Sequence, residues 1–350
     1  MKILQVCPGD YSPTGGVKQH VRNISQRLTK EHDVTVFATN PSGKLPKEEE
    51  VDGVLVRRFK SFSPKSAYHI SLGMLRELRR SEFDVVHGHN YHAFPLFFSR
   101  YAKRQKFIVS PSYHGRGHTV MRDFLIKLYK PLGQRIFQEA DRVIAHSNHE
   151  RALLLRDFKL NTDKIAVIPD GIDLVEFKHL EKVAKRHKAI LYVGRLEEYK
   201  GVQHVLRALP LLNEGIGLEI VGQGPYKERL MKLAKELGME DRVDLYQDLP
   251  REQLLRRYTN ADLFVLLSRY EAFSIVVAEA LASKTPCIVA NTSALSEWVD
   301  NENCFGIDYP ISSHQLAELV NKVIGKKVGY VRLWDWEQVV RETVRIYQEH

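Results

Sequence analysis

The stretch that decides the fold is residues 190–212, ILYVGRLEEYKGVQHVLRALPLL. Its first four residues form an apolar run that predicts a buried strand, and Gly194 lets the chain turn directly after it. Apolar residues then recur at helical spacing from Gln203 to Leu212, which predicts a helix. A strand, a glycine turn and a helix in series form the repeating unit of a parallel, doubly wound α/β sheet.

The same unit recurs on both sides of this stretch. Short apolar runs predict strands at 3–6, 34–38, 54–59, 85–86, 107–109, 143–145 and 165–168, and then at 218–221, 243–246, 263–267 and 287–290. The polar stretch 176–188 is typical of a linker. We therefore expect two Rossmann-like domains, 1–175 and 176–335, facing a central cleft, and a last helix, 336–350, that packs back on the first domain. Ligands of such sheets bind at the carboxyl ends of the strands.

Composition narrows the class of protein. The 350 residues are 43% hydrophobic and 27% charged, which is ordinary for a globular protein and excludes a disordered chain. Cys7, Cys287 and Cys304 lie far apart in sequence, which excludes a zinc ribbon or a disulfide scaffold. No apolar run approaches the roughly 18 residues that span a bilayer, and the first run is too short for a signal peptide. We expect a cytoplasmic protein.

The net charge of +9 is unevenly placed. Residues 1–175 carry the whole surplus of basic side chains, whereas residues 176–350 are close to neutral. An anionic partner of the first half and an ordinary solvated basic surface both remain open. Nucleic acid is not expected, because no recognition motif for it is present.

Two cations follow the strand of the opening stretch. Arg195 comes directly after Gly194, and Lys200 follows five residues later, before a helix. Cations at a strand end that face a helix N-terminus suit a diphosphate. Two surface cations in a loop are the alternative.

Residues 270–286, YEAFSIVVAEALASKTP, carry two carboxylates with seven residues between them. Glu271 lies in the loop after a predicted strand, and Glu279 lies inside the next helix. Phe273, Ser274 and Ile275 offer backbone N–H groups at that helix's N-terminus, where phosphate or a sugar hydroxyl binds. Carboxylates accept hydrogen bonds from sugar hydroxyls. A capping acid and a surface glutamate are the alternative.

Glycines mark two further turns. Gly222 and Gly224 permit a close backbone approach to a ligand, and Gly15 and Gly16 precede the first predicted helix, where an anion would bind. Neither pattern is G-x-G-x-x-G or a P-loop, so neither a dinucleotide nor an ATPase phosphate site is indicated.

Histidines cluster in the first half. His114 follows a predicted strand and could face the cleft, while His87 and His89 are expected to be satisfied core histidines. No metal site is expected, because no carboxylate or cysteine joins these histidines at ligand spacing. Asp170 and Asp173 are expected to be turn formers.

Taken in order, these motifs resemble the retaining glycosyltransferases of family four, also called group one, which have the GT-B fold. The resemblance covers almost the whole chain through GG at 15–16, DVVHGH at 84–89, SYHG at 112–115, IPDGID at 168–173, VGRLEEYKG at 193–201, VGQGP at 221–225 and the two glutamates of 271–279. It implies transfer of a sugar from a UDP-, GDP- or ADP-linked donor to the hydroxyl of a glycan, lipid or phosphorylated acceptor. No cofactor and no obligatory metal are implied.

The resemblance also implies roles for individual residues. Arg195 and Lys200 would hold the diphosphate as the sugar leaves, Glu271 would bind the sugar, and His114 would line it. The remaining donor contacts would come from Gly16, Gly194, Gly222, Gly224, Phe273, Ser274, Ile275 and the ribose ligand Glu279.

Three positions depart from the family pattern, which has glycine where this chain has Ala272, Ser274 and Lys284. A non-catalytic relative that only binds nucleotide sugar or a partner therefore stays open, as do a sugar-nucleotide epimerase and a phosphorylase. In the family the basic first half binds the acceptor. Its basic clusters include Arg57, Arg58, Lys60, Lys65, Arg76, Arg79, Arg80, Arg100, Lys103, Arg104 and Lys106. These clusters could contact a phosphorylated acceptor or anionic lipid headgroups at the inner face of the cell membrane. Tyr68, Leu72 and Leu75 near the second cluster indicate an amphipathic, interfacial segment; a helix packed on its own core with a basic solvent face is the alternative.

Overall fold

A computed structural model describes residues 1–12, 15–64, 68–115, 117, 120–183 and 187–349. The chain forms two compact units, and each is described by itself. Unit 1 comprises Met1–Gly171 and Trp334–His350, and unit 2 comprises Ile172–Leu333. The divisions fall a few residues before the expected boundaries at 175 and 335.

Unit 1 is built on a sheet with eight strands among its described residues. They are β1 (Lys2–Val6), β2 (Asp33–Asn40), β3 (Glu48–Val51), β4 (Val54–Lys60), β5 (Glu82–His89), β6 (Lys103–Ser110), β7 (Arg142–Ala145) and β8 (Ile165–Val167). The spatial order is β3-β4-β2-β1-β5-β6-β7-β8, and every pair is parallel except β3 with β4. The central strands β1, β2 and β5 are largely buried, because helices cover both faces of such a sheet, and they carry a few buried polar residues such as Gln5, His87 and His89 among their apolar ones.

The helices of unit 1 come from both ends of the chain. They are α1 (Gly16–Leu28), α2 (Leu72–Leu78), α3 (Phe94–Ser99), α4 (Val120–Glu139), α5 (Asn148–Phe158) and, after unit 2, α11 (Trp336–Gln348). The Asp335 side chain accepts from the Gln338 backbone N–H and the Gln338 side chain accepts from the Asp335 N–H, so a capping box starts α11. Trp336, Val339 and Tyr347 of α11 belong to the same buried cluster as residues of β1 and α1.

One glycine lets α11 approach the sheet of unit 1. A Cβ at Gly171 would lie 2.7 Å from the backbone nitrogen of Trp336, so no side chain fits there. This contact fixes the start of α11 beside the end of the last segment before unit 2.

Unit 2 holds a second parallel sheet. Its described strands are β9 (Lys188–Val193), β10 (Ile216–Val221), β11 (Val243–Tyr246), β12 (Leu263–Leu266), β13 (Cys287–Ala290) and β14 (Cys304–Ile307), in the order β11-β10-β9-β12-β13-β14. Its helices are α6 (Val202–Ala208), α7 (Lys227–Glu236), α8 (Arg251–Asn260), α9 (Ile275–Ala282) and α10 (Ser313–Val323). Both sheets have the doubly wound α/β architecture expected from the sequence.

Candidate active site

The carboxyl edge of the unit 2 sheet gathers most of the predicted donor residues. Gly194 and Arg195 follow β9, Gly222 and Gly224 follow β10, and Glu271 lies in the loop after β12. Because β10, β9 and β12 are parallel neighbours, their loops leave the sheet at the same edge. Ligands of doubly wound sheets bind at this edge.

The glycines after β10 are required by a neighbouring loop of the protein itself. A Cβ at Gly222 would lie 1.9 Å from the Gly194 carbonyl oxygen, and one at Gly224 would lie 2.3 Å from the Leu196 carbonyl oxygen. The Leu196 N–H donates to the Gln223 carbonyl over 2.9 Å and joins the two loops. These glycines therefore pack the loop after β10 on the loop after β9, a reason that the sequence analysis did not give.

Lys200 and Glu271 form an ion pair at this edge. The Lys200 Nζ donates to Glu271 Oε1 over 2.6 Å, and both side chains are largely buried. Burial alone would lower the pKa of Lys200, but the carboxylate of Glu271 outweighs burial and raises it. Lys200 is therefore a permanent cation. At Gly201 a Cβ would lie 2.3 Å from the Leu267 carbonyl oxygen, which fixes the segment carrying Lys200 against the end of β12.

Arg195 is more exposed than Lys200. Its side chain is 65% exposed, and its guanidinium donates to Glu197 Oε1 over 2.8 Å. The Tyr192 hydroxyl donates to the Arg195 carbonyl oxygen over 2.7 Å, which fixes the backbone that carries this exposed side chain. The charge of Arg195 also lowers the pKa of Lys200, so the two cations lie within electrostatic range of each other.

The loop from Glu271 to α9 keeps the backbone shape of a glycine-containing loop. Ser274 precedes α9 with φ 99°, and Lys284 follows α9 with φ 61°. Both values lie in the region that glycine adopts most readily, and both positions hold glycine in the family pattern. The Glu271 N–H donates to Ser293 Oγ over 3.1 Å, and the Trp298 indole donates to the Phe273 carbonyl over 3.2 Å.

Glu279 lies one helical turn inside α9 and is 3% exposed. Arg251 Nη1, at the first residue of α8, donates to Glu279 Oε1 over 2.5 Å. Burial raises the pKa of Glu279, and the charge of Arg251 and a hydrogen bond with Tyr258 offset only part of that rise. Ile275, the first residue of α9, is also buried. Its backbone N–H, rather than its apolar side chain, is therefore the group suited to a ligand.

Sequence reasoning missed Arg251 and its second partner, Glu176. The guanidinium of Arg251 donates to Glu176 Oε2 over 2.7 Å and so bridges two carboxylates. One signal was present in the sequence. A cation at a helix N-terminus opposes the helix dipole, so Arg251 at the start of α8 calls for compensating acids nearby.

Two of the predicted site residues, Gly16 and His114, belong to unit 1. Among the described residues, none lies within 4 Å of a Cβ built on Gly16, so none of them requires glycine there. His114 is half-buried and stacks on His92, with ring centroids 4.5 Å apart. Pro13 and Thr14, before Gly15, lie outside the described residues.

His87 and His89 are satisfied core histidines, as predicted. His87 lies 2.7 Å from the Tyr347 hydroxyl of α11 and 2.8 Å from Ser110 Oγ, and His89 lies 2.7 Å from Gln5 Oε1. Burial lowers the pKa of both rings well below the usual value, so both are neutral. Their contacts lock α11 to the sheet of unit 1.

The interpretation of Asp170 as a simple turn former was wrong. Its carboxylate lies 2.5 Å from His20 Nδ1 and 3.5 Å from His146 Nδ1, in a buried cluster. Burial would raise the pKa of Asp170, but the two histidines lower it below the usual value. The ligand atoms of these three side chains all lie within 4.8 Å of one another, so this group has the composition of a metal-binding set that the sequence analysis did not foresee.

Part of the expected basic surface of unit 1 is neutralised by acids. Arg57 pairs with Glu48 and Glu77, and Arg58 pairs with Glu49 over 2.6 Å. Arg100 pairs with Glu139, and Arg104 donates to backbone carbonyls. Leu72 is exposed but Leu75 packs on the core, and Lys65 lies outside the described residues. Within the described ranges, no helix is long and apolar enough to cross a membrane.

Two family profiles divide the chain between them. The profile described as "Glycosyltransferase Family 4" matches residues 14–176, and the profile described as "Glycosyl transferases group 1" matches residues 176–332. An uncharacterized glycosyltransferase of Methanocaldococcus jannaschii is 26% identical, with 99% of this chain and 98% of the relative covered. A glycogen synthase of Mycobacterium tuberculosis is 27% identical, with 99% and 94% covered.

Solved structures share the two-sheet GT-B architecture. A sucrose-phosphate synthase from Thermosynechococcus elongatus superposes with a TM-score of 0.84 at 20% identity, with 99% of this chain and 98% of that chain covered. The Anabaena protein HepE in complex with UDP-glucose superposes with a TM-score of 0.78 at 18% identity, with 99% of each chain covered.

Proposed function

Because the chain belongs to the group 1 glycosyltransferases of family 4, we propose that unit 2 binds the nucleotide diphosphate of a sugar donor and that unit 1 binds the acceptor. The observation that carries this proposal is the pair of cations at one sheet edge, Arg195 and the permanently charged Lys200, beside Glu271. Cations fixed at a strand end stabilise the charge that develops on a leaving diphosphate.

Two ion pairs hold these cations at the sheet edge. Glu271 keeps Lys200 at the sheet edge, and Glu197 keeps the exposed Arg195 nearby. An incoming diphosphate replaces the carboxylates as partner of both cations. Glu271 is then released to accept hydrogen bonds from the hydroxyls of the donor sugar, so that phosphate binding and sugar binding are coupled through one exchange of partners.

The proposed reaction proceeds with retention and without a covalent enzyme intermediate. The bond from the sugar's anomeric carbon to the phosphate oxygen breaks as the bond to the acceptor oxygen forms on the same face. The acceptor proton passes to a phosphate oxygen of the leaving diphosphate. Lys200 and Arg195 stabilise the negative charge on that leaving group, so the residues supply the charge that a metal ion would otherwise provide.

Glu279 is proposed to bind the ribose of the nucleotide. Arg251 engages Glu279 Oε1 from the α8 side and fixes the carboxylate in the α9 helix. The carboxylate can accept further hydrogen bonds, as adjacent ribose hydroxyls require. Arg251 acts through Glu279 and is a positioning residue in this scheme.

The backbone at Ser274 favours an active enzyme over a non-catalytic binding relative. A serine held at φ 99° is strained, and such strain persists where the surrounding structure demands one loop shape. The loop before α9 therefore has at Ser274 a backbone that glycine, the residue of the family pattern, would adopt without strain.

A nucleotide panel tests the proposal. UDP, GDP and ADP and their common sugar conjugates are compared by thermal shift, starting with UDP-glucose because HepE binds it. Ligand that binds only the folded state raises the melting temperature. Lys200→Ala should abolish the shift in melting temperature. Lys232→Ala, the control at an exposed lysine of unit 2, should keep it.

Turnover separates the remaining alternatives. A transferase releases nucleotide diphosphate from the stabilising donor only when an acceptor or water takes the sugar, and NMR of the product gives its anomeric configuration. Conversion of the donor to another nucleotide sugar would indicate an epimerase, and dependence on inorganic phosphate would indicate a phosphorylase. Binding with no turnover of any donor would leave the non-catalytic relative.

A further inference from the structure

Helix α4 of unit 1 turns a stripe of apolar side chains to solvent. Met121 is 67% exposed, Phe124 57% and Leu128 61%, and Leu125 and Leu132 are each 37% exposed. Spacings of three and four residues place all five side chains on one side of the helix. The stripe covers about three turns of a 20-residue helix.

Another side of α4 is already packed. Phe137 is fully buried in the core of unit 1, and Tyr129 packs against the same core. The exposed stripe is therefore not needed to hold α4 on its sheet. Contiguous apolar surface of this kind marks a contact with a membrane, another protein or a ligand.

Cations accompany the stripe. Lys127 and Arg135 are exposed on α4, and neither pairs with an acid among the described residues. Of the two acids of the helix, Glu139 pairs with Arg100, whereas Asp123 accepts only from the neutral Gly117 N–H and keeps its charge. The two unpaired cations outnumber this one carboxylate, in keeping with the basic surplus of residues 1–175.

We propose that α4 docks on an anionic lipid surface. The helix lies parallel to the membrane plane, the stripe enters the boundary between headgroups and acyl chains, and Lys127 and Arg135 contact lipid phosphates. An apolar stripe flanked by unpaired cations matches a surface that is apolar inside and negative outside. The membrane contact expected at Leu72 and Leu75 is thereby moved to a different helix, since Leu75 is packed against the core.

Vesicle flotation tests the proposal on the full-length chain. Vesicles contain phosphatidylcholine alone or with about 30% phosphatidylglycerol, in low and high salt. The test variant is Phe124→Glu with Leu128→Glu. The matched control is Phe62→Glu with Leu72→Glu, because these two apolar side chains of unit 1 are 69% and 70% exposed but lie off α4.

The expected result is binding of the wild type to anionic vesicles and a loss of at least tenfold in the bound fraction for the α4 variant only. Replacing Lys127 or Arg135 by glutamine should weaken binding about fivefold each in low salt. Folding is checked by the melting temperature, which surface changes should leave in place. Binding that both double variants retain, or lose equally, would overturn the proposal, as would wild-type protein that binds neither vesicle.

A fluorescent probe gives a second readout that does not depend on loss of binding. The three native cysteines are buried, so a new thiol in Leu128→Cys can be labelled selectively with an environment-sensitive dye. Emission should shift to the blue on anionic vesicles for this variant and not for Leu72→Cys. The emission could instead shift with rising protein concentration in the absence of lipid, and the protein could form a dimer that the glutamate variant abolishes. This result would assign the stripe to contact with a second copy of the chain and refute membrane docking. Neither readout requires glycosyl transfer, so failure here leaves the proposed reaction untouched.

Discussion

Removing Arg251 should leave a buried carboxylate of unit 2 without its cation. The Glu279 side chain is only 4% exposed. In Arg251→Met its carboxylate keeps the hydrogen bond with Tyr258 but loses the ion pair with Arg251. Breaking a buried ion pair from one side costs about 3–5 kcal/mol. Because Arg251 is itself 37% exposed, we expect the lower end, about 3 kcal/mol, or roughly 6–12 °C in the melting temperature of a unit this size.

The matched control lies on the same helix. Arg256 pairs with Glu252, and the two side chains are 61% and 73% exposed, so Arg256→Met should cost no more than about 0.5 kcal/mol. Adding Glu279→Gln to Arg251→Met removes the stranded charge and should recover at least 1 kcal/mol, since a neutral amide is cheaper to bury than an unpaired carboxylate.

The pH dependence gives a third check. Without Arg251 the pKa of Glu279 in the folded state stays raised by burial, so the folded state takes up a proton more readily than the unfolded state. The destabilisation should therefore shrink as the pH falls from 8 to 5. Thermal scans and hydrogen exchange of α8 and α9 measure all four proteins. Equal losses in Arg251→Met and Arg256→Met, or a double variant no more stable than Arg251→Met, would refute the reasoning.

Three further outcomes follow from the structure. Ser274→Gly and Lys284→Gly should each raise the free energy of unfolding by up to about 1 kcal/mol in urea titrations, because glycine relieves the positive φ, and unchanged or lower stability would contradict the strain. Unit 1 should lose stability below about pH 6.5, because His87 and His89 are neutral in the folded state and become protonated in the unfolded state. The free energy of unfolding should fall by up to about 1.4 kcal/mol per pH unit for each ring. Replacing either histidine by glutamine should reduce this slope, as measured by denaturation at pH 7.5, 6 and 5. EDTA should leave donor turnover within twofold of its rate, because in the proposed reaction the two cations of the sheet edge neutralise the leaving group. A loss of turnover that zinc or magnesium restores would count against this scheme.

The strands that the sequence predicted well are those buried on both faces. In β12 all four residues are apolar and buried, so the pattern alone identifies it. Strand β3 escaped prediction because three of its four residues are glutamates, which disfavour a strand. Its stability depends on Arg57 and Arg58 of the neighbouring strand, partners that only the folded sheet supplies.

The candidate site likewise contains residues that the sequence predicted and contacts that it could not predict. Arg195, Lys200 and Glu271 could be found because each follows a strand, and parallel strands end at one edge. The partnership of Arg251 with Glu279 could not be found, because the two residues are 28 positions apart in sequence and the contact depends on how α8 packs beside α9. Nor can a sequence show that Ser274 keeps a glycine-like backbone, since that conformation is imposed by the loop around it.

The return of α11 to unit 1 has a consequence for synthesis in the cell. Residues 1–171 emerge from the ribosome without the helix that covers Val21 and Ile24, and α11 follows only after unit 2 has been made. At translation rates of about 5–20 residues per second, this apolar groove stays open for roughly 10–35 s, long enough to attract chaperones or other nascent chains. Unit 2, encoded without interruption, can finish folding first, so the half of the protein that begins synthesis is the last to be completed.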